Sequence, residues 1–172
     1  MSSIIDTAIQ CLRDESQALI DLIPTIGADF QHAVELILQC PGKVIVTGVG
    51  KSGHIGAKIA ATLSSTGTPS FFINPLDAFH GDLGVIGTED LVLAISNSGE
   101  TDELLRFFPY LLARQIPVIG MSGNEKSLLA QYSSVHLNIS VKKEACPMGL
   151  APTTSTTVTL ALGDALACAL IV

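Results

Sequence analysis

Tryptophan is absent from this chain of 172 residues, aromatic residues amount to 5%, and charged residues to only 15%. The low charge excludes disorder: chains that stay unfolded are highly charged and poor in apolar groups, whereas 48% of this one is hydrophobic. Basic residues are the scarcest, nine Lys and Arg against sixteen Asp and Glu, for a net charge of −7. A nucleic-acid backbone requires a basic stripe to displace its counterions, so no nucleic acid is expected as a partner. No apolar run reaches the roughly 18–20 residues that cross a bilayer, and the opening ten residues lack the basic stretch of a signal peptide. Neither a membrane nor export is expected, and the protein reads as cytoplasmic. Cys11, Cys40, Cys146 and Cys168 form no C-x-x-C, which argues against a zinc knuckle or a redox pair. They read as reduced thiols, with Cys11, Cys40 and Cys168 as small buried hydrophobes. No dedicated metal-ligand cluster or cofactor motif survives inspection.

What is present fits one domain of ordinary size, with more apolar residues than a small monomer requires. Residues 4–39 carry helical periodicity in two stripes, Ile5, Ile9, Leu12 and Leu19, then Phe30, Val34, Ile37 and Leu38. Pro24 and Gly27 separate them, which predicts a helical hairpin. Beyond Pro41-Gly42 the pattern changes to short apolar runs at 44–47, 70–73, 91–95, 118–121 and 135–139. Helical segments over 52–66, 101–114, 125–131 and 153–171 alternate with them. Strands alternating with helices imply βαβ crossovers, and strands apolar throughout imply a parallel sheet covered on both faces. The chain stops within the apolar stretch Asp164 to Val172, with no basic last turn and no glycine cap, so residues beyond 172 are expected in the natural protein.

Ligands of open α/β sheets sit beyond the carboxyl ends of the strands. Two Gly/Ser loops fall there: Gly48-Val49-Gly50-Lys51-Ser52-Gly53 and Ser96-Asn97-Ser98-Gly99-Glu100-Thr101. Each leads into a helix, whose free N–H groups favour an anion, and the hydroxyls of Ser96, Ser98 and Thr101 suit a phosphate. The first loop is a literal G-x-G-x-x-G. The dinucleotide fingerprint, however, also wants an acid at the end of the second strand, where Asn74-Pro75 stands. The Walker pattern fails because Ile45 occupies its first glycine position. Lys51 can bind phosphate or steady a developing oxyanion. Glu100, Asp102 and Glu103 open the next helix. Acids in a first turn ordinarily complement the dipole, an adequate account of Glu100 and Asp102. Three acids beside an anion repel it, unless a carboxylate there works as a general base. His80, in a glycine-rich loop, and Glu144, after the last strand, are further candidates. His32 and His136 are assigned no role.

These residues resemble the SIS (sugar isomerase) family of phosphosugar-binding domains, and within it the bacterial D-arabinose-5-phosphate isomerases. Besides the two loops, Gly50-Lys-Ser-Gly-His-Ile-Gly56, Ser65-Thr-Gly-Thr-Pro-Ser-Phe-Phe72, His80-Gly-Asp-Leu-Gly84, Lys143-Glu-Ala-Cys-Pro147 and Gly149-Leu-Ala-Pro-Thr153 carry the likeness. The resemblance implies a doubly wound, flavodoxin-like sheet of five parallel strands over residues 41–172, with helices 1–40 joined to the same domain. It implies a homotetramer that interconverts D-arabinose 5-phosphate and D-ribulose 5-phosphate, the first step toward Kdo for lipopolysaccharide or capsule. By motif, Ser52, Ser96, Asn97, Ser98 and Thr101 would hold the phosphate, with Gly50 and Gly99 shaping the loops. Lys51, Glu103, Glu144 and His80 would surround the sugar. CBS domains, common in the family, are absent from this sequence. The family's Ser/Tyr-x-His-Pro-Gly-Gly stretch, with its catalytic candidate histidine, would lie past residue 172. A non-catalytic sugar-phosphate sensor, or another phosphosugar isomerase, is the alternative on the same fold.

Overall fold

The strands are short apolar runs bounded by turn-forming residues. In the computed structural model, which describes residues 3–78 and 81–171, these are β1 (Val44–Gly48), β2 (Ser70–Ile73), β3 (Leu91–Ile95), β4 (Val118–Ser122) and β5 (Val135–Asn138). The last, β5, alternates buried Val135 and Leu137 with polar His136 and Asn138. All the strands pair in parallel in the order β2-β1-β3-β4-β5. Side chains alternate across the pleat. Val44, Val46, Leu93, Ile95, Ile119 and Met121 enter one core, and Ile45, Val92, Ala94 and Val118 the other.

Helices α2 (Ala28–Gln39), α3 (Gly50–Ser65) and α8 (Thr154–Ala169) cover the first face. The second is covered by shorter pieces: α4 (Pro75–Ala78), α5 (Asp102–Leu105), α6 (Phe108–Ala113) and α7 (Leu128–Tyr132). Phe107 and Phe108 are fully buried there, each contributing about 1.5–3 kcal/mol by leaving water. The continuous helix expected over 101–114 is two pieces. Pro109 has no N–H for the carbonyl of Leu105 and crowds it, so the chain passes through a tighter turn at Arg106-Phe107 before α6 begins. The helix expected at 125 starts instead at Leu128, where Ser127 accepts a hydrogen bond from Ala130 N–H as its cap.

The N-terminal hairpin is present, but α1 (Ile4–Leu22) buries none of its residues. Ala18, Leu19 and Leu22 pack partly on the first core, while Ile4, Ile5, Ile9 and Leu12 face outward, Ile4 at 91% exposure. On α2, Leu38 is likewise exposed and Ala33 is buried beside Ile37. Cys11 and Cys40 are half-buried rather than enclosed, and Cys168 is exposed, because α8 turns that side away from the sheet.

Candidate active site

Strand order reverses between β1 and β3, the point where a crevice opens at the carboxyl edge of such a sheet. Gly48 lies opposite Ile95, so the loops that follow these strands leave side by side. At their start the backbones nearly touch, a Cβ on Gly48 standing 2.9 Å from the Ile95 carbonyl oxygen, and the first loop is itself tight, a Cβ on Gly53 standing 2.7 Å from the Gly48 carbonyl oxygen. Gly50, at φ +60°, turns the chain into α3 and sets exposed Lys51 and half-buried Ser52 in its first turn. With sixteen residues, α3 carries a full N-terminal dipole toward the crevice.

The second loop folds around Ser96. Its buried Oγ lies 2.8 Å from Thr101 Oγ1 and 3.5 Å from Ser98 Oγ, and accepts a hydrogen bond from Gly99 N–H at 3.0 Å. Glu100 N–H donates to Ser98 Oγ at 3.2 Å. From outside, Gly123 N–H donates to the Asn97 carbonyl and Leu129 N–H to that of Gly99. Gly99 sits at φ +70° against Ser127, with which a Cβ would overlap. The result is a compact cluster of hydroxyls and N–H groups. Because α5 ends after four residues, these local donors, more than a macrodipole, provide its attraction for an anion.

The three acids that follow separate. The Glu100 carboxylate accepts from Leu128 N–H at 2.9 Å and so caps α7, away from the crevice. Asp102 is exposed. Glu103 is half-buried, and its carboxylate has no hydrogen bond or ion pair among the described residues.

Glu144 is tied down instead. Its Oε2 accepts from Thr153 N–H (2.8 Å), Thr153 Oγ1–H (3.1 Å) and Ser155 N–H (3.2 Å), and its Oε1 from the Ser155 hydroxyl. The carboxylate thereby fills the N-terminus of α8. Burial pushes the Glu144 carboxyl up, but the bonds from Ser155 and Thr153 together outweigh it and hold the group below its usual range. Two residues on, N–H groups of 148–151 directed at the Cys146 sulfur lower that thiol in the same way.

A family model described as SIS domain matches residues 37–169. The chain belongs to the SIS domain family. Arabinose 5-phosphate isomerase KdsD of Yersinia pestis is 56% identical over 162 residues, 94% of this chain and 49% of that protein. The Pseudomonas aeruginosa protein of the same name is 55% identical over 157 residues, 91% of this chain and 48% of its own length. The chain thus spans about half the length of the curated relatives it matches. Among solved structures, an Escherichia coli CFT073 protein in complex with arabinose 5-phosphate has a TM-score of 0.94 at 42% identity, covering 98% of this chain and 89% of that one.

Within this SIS domain, the expected phosphate residues fall on two adjacent loops: Gly50 and Ser52 on one, Ser96, Asn97, Ser98, Gly99 and Thr101 on the other. Lys51 and Glu103 occupy the helical turns that leave those loops. Glu144 stands at another helix N-terminus, and α8 opens at the same edge of the sheet, since Thr154 lines a cavity with Asn138 at the end of β5. His80 lies outside the described residues. Thr153 and Ser155, not singled out from the sequence, are the partners of Glu144. The signal for them in the sequence is the hydroxyl run Thr153-Thr154-Ser155 at the start of an apolar helix. Among the described residues no group of three or more His, Cys, Asp or Glu is placed to hold a metal ion.

Proposed function

We propose that this SIS domain is the isomerase domain of an arabinose-5-phosphate isomerase, interconverting D-arabinose 5-phosphate and D-ribulose 5-phosphate. The observation that carries the reading is the convergence of the Ser96, Ser98 and Thr101 hydroxyls beside the Lys51-Ser52 turn, at the edge where β1 and β3 part. Support comes from the relatives named for this activity and from the arabinose 5-phosphate held by the similar E. coli structure. Ser52, Ser96, Asn97, Ser98 and Thr101, on loops shaped by Gly50 and Gly99, hold the phosphate and leave the sugar chain extending from the crevice. Glu103 removes the proton from C2 of the open-chain aldose. The enediolate oxygen is steadied by Lys51, and the proton is returned to C1. No electrons leave the substrate: the C2–H pair passes into the enediolate, the O2–H proton moves to O1, and Glu103 delivers to C1 a proton that exchanges with solvent, so the step needs no redox cofactor. His80 and Glu144 complete the surroundings of the sugar.

The same reading makes residues 1–40 part of one folding unit with 41–172 and the protein a cytoplasmic homotetramer feeding Kdo synthesis for lipopolysaccharide or capsule. No described helix is long and apolar enough to cross a membrane. The outward apolar side of α1 is the surface that assembly would cover, and light scattering that found a monomer at micromolar concentration would refute it. The test of the activity is a panel of aldose phosphates assayed for ketose formation in deuterated water. Arabinose 5-phosphate is expected to be converted fastest, with deuterium entering the product. Tight sugar-phosphate binding without conversion would favour a sensor instead.

A further inference from the structure

Of the carboxylates assigned to the sugar's surroundings, only Glu144 comes with its hydrogen bonds already made. Every group facing it is a donor: Thr153 N–H, Thr153 Oγ1, Ser155 N–H and the Ser155 hydroxyl. These donors are themselves fixed. Ser155 is 3% exposed, at the start of α8, and its carbonyl accepts from Thr159 Oγ1 at 2.7 Å. Thr153 Oγ1, while donating to Glu144, accepts from Ala145 N–H at 3.0 Å and Cys146 N–H at 3.2 Å. Thr154 Oγ1 takes Ala145 N–H as well, at 2.9 Å. A proton placed on Oε2 would face the N–H groups of Thr153 and Ser155, which cannot accept it, and the bonds to the carboxylate would lose their charge assistance.

The charged and titratable neighbours are few. Lys143, held at 2.7 Å by Asp14 of α1, shares a cavity of about 330 Å3 with Glu144, Cys11 and Cys146. The ion pair absorbs the lysine's charge, leaving the α8 donors as the groups that fix the state of Glu144. Glu103 has no such partners among the described residues.

We infer that Ser155, assisted by Thr153, is a positioning residue that keeps Glu144 ionised throughout the isomerisation, so that Glu144 acts through its fixed charge and Glu103 alone among these carboxylates moves the proton. The inference rests on the isomerase reading above and adds a division of labour to it. It also explains why α8, a sixteen-residue helix whose N-terminus lies at the same edge as the phosphate loops, does not compete for the substrate's phosphate. Its N-terminus is already occupied by a carboxylate of the chain itself.

The test compares wild type, Ser155→Ala, Ser155→Thr, Thr153→Ala, Glu144→Gln and the Ser155→Ala/Glu144→Gln double variant in the intact protein. Arabinose 5-phosphate turnover is followed from about pH 5 to pH 9, with melting temperature measured alongside. Ser155→Ala is expected to lose about tenfold in kcat, with KM little changed and the deficit growing toward acid as Glu144 begins to take up a proton. Ser155→Thr keeps the hydroxyl and restores the profile. Glu144→Gln shows a deficit that does not vary with pH, and adding Ser155→Ala to it costs little more. A Ser155→Ala deficit uniform across pH, or one fully additive with Glu144→Gln, would overturn the inference. Thr153→Ala carries the same test should Ser155→Ala not fold. A wild type that turned over no arabinose 5-phosphate would overturn the isomerase reading instead. The ionisation claim is then still decided by the carbon-13 titration of the Glu144 carboxyl, which must move upward in Ser155→Ala.

Discussion

The β3–α5 turn and the start of α8 use the same parts, serine and threonine hydroxyls with the N–H groups of a helix start, yet they commit them differently. At the turn, the hydroxyls of Ser96, Ser98 and Thr101 bond to one another and to the loop's own N–H groups. At α8, the hydroxyls of Thr153 and Ser155 are committed to a carboxylate of the chain. Hydroxyls that satisfy one another can be turned toward a phosphate at small cost, because each rotates and both donates and accepts. Donors fixed on an internal anion cannot. One edge of the sheet therefore offers two similar anion sites, of which only the pair of loops at the strand reversal remains for a ligand from outside. Glu100 repeats the internal solution on a small scale by capping α7.

The largest expected effect separates the free carboxylate from the committed one. Glu103→Gln should lower kcat by about 10²–10⁴ with a near-normal melting temperature, the loss typical of a general base. A variant keeping most of its kcat would move the base to Glu144 or His80. Next comes Gly99→Ala. Its positive φ costs a non-glycine residue about 1–3 kcal/mol and its Cβ overlaps Ser127, so the loop must shift. Sugar-phosphate affinity by calorimetry should fall by roughly 100-fold, far more than for Gly50→Ala, whose Cβ meets open space. Equal losses at the two glycines would remove the packing part of the argument. Smaller again is Ser98→Ala, which deletes one hydroxyl from an exposed loop. KM should rise about tenfold with kcat unchanged, as when a hydrogen bond made equally in ground and transition states is lost. An unaltered KM would take Ser98 out of the phosphate site.

Strands β2 and β3 are legible in the sequence to the residue, β3 because a buried parallel strand is apolar throughout, and the half-buried edge strand β2 because turn-forming residues bound its Phe71-Phe72-Ile73 run. Once the strands are known, the reversal between β1 and β3 makes neighbours of the two loops, and the phosphate site follows. Pro109 is the sign in the sequence that α5 and α6 are separate, and a single helix over 101–114 takes no account of it. The outward turn of Ile4, Ile5 and Leu12 was not legible, because an apolar stripe does not say whether it faces its own core or another surface. Nor could spacing reveal the partners of Glu144 and Glu100. Ser155 lies eleven residues from Glu144, Leu128 twenty-eight from Glu100, and only the folded path of the intervening chain brings them together.

The smallest expected effect concerns what stands behind the phosphate loop. His136 on β5 meets Ser122 Oγ through Nε2 at 2.8 Å, Ser122 Oγ lies 3.2 Å from Ser127 Oγ, and Ser127 packs against Gly99. Burial pulls His136 below its ordinary value near 6.5, while Glu125 and Asp29, across a polar cavity from it, push the other way without cancelling it. The unfolded chain then binds this proton more readily than the folded one. His136 costs no stability well above pH 6.5; as pH falls through that value the folded state loses ground, until His136 itself becomes protonated in place and the loss levels off. Urea midpoints measured between about pH 7.5 and 5.5 should decline slightly in the wild type. They should decline less in His136→Gln, which presents an amide to Ser122 and has no proton to take up. Ser127 supports Gly99, so sugar-phosphate affinity should weaken over the same interval in the wild type more than in the variant. Identical slopes for the two proteins would show that the acid sensitivity arises elsewhere and that the serine chain behind Gly99 is indifferent to the state of His136.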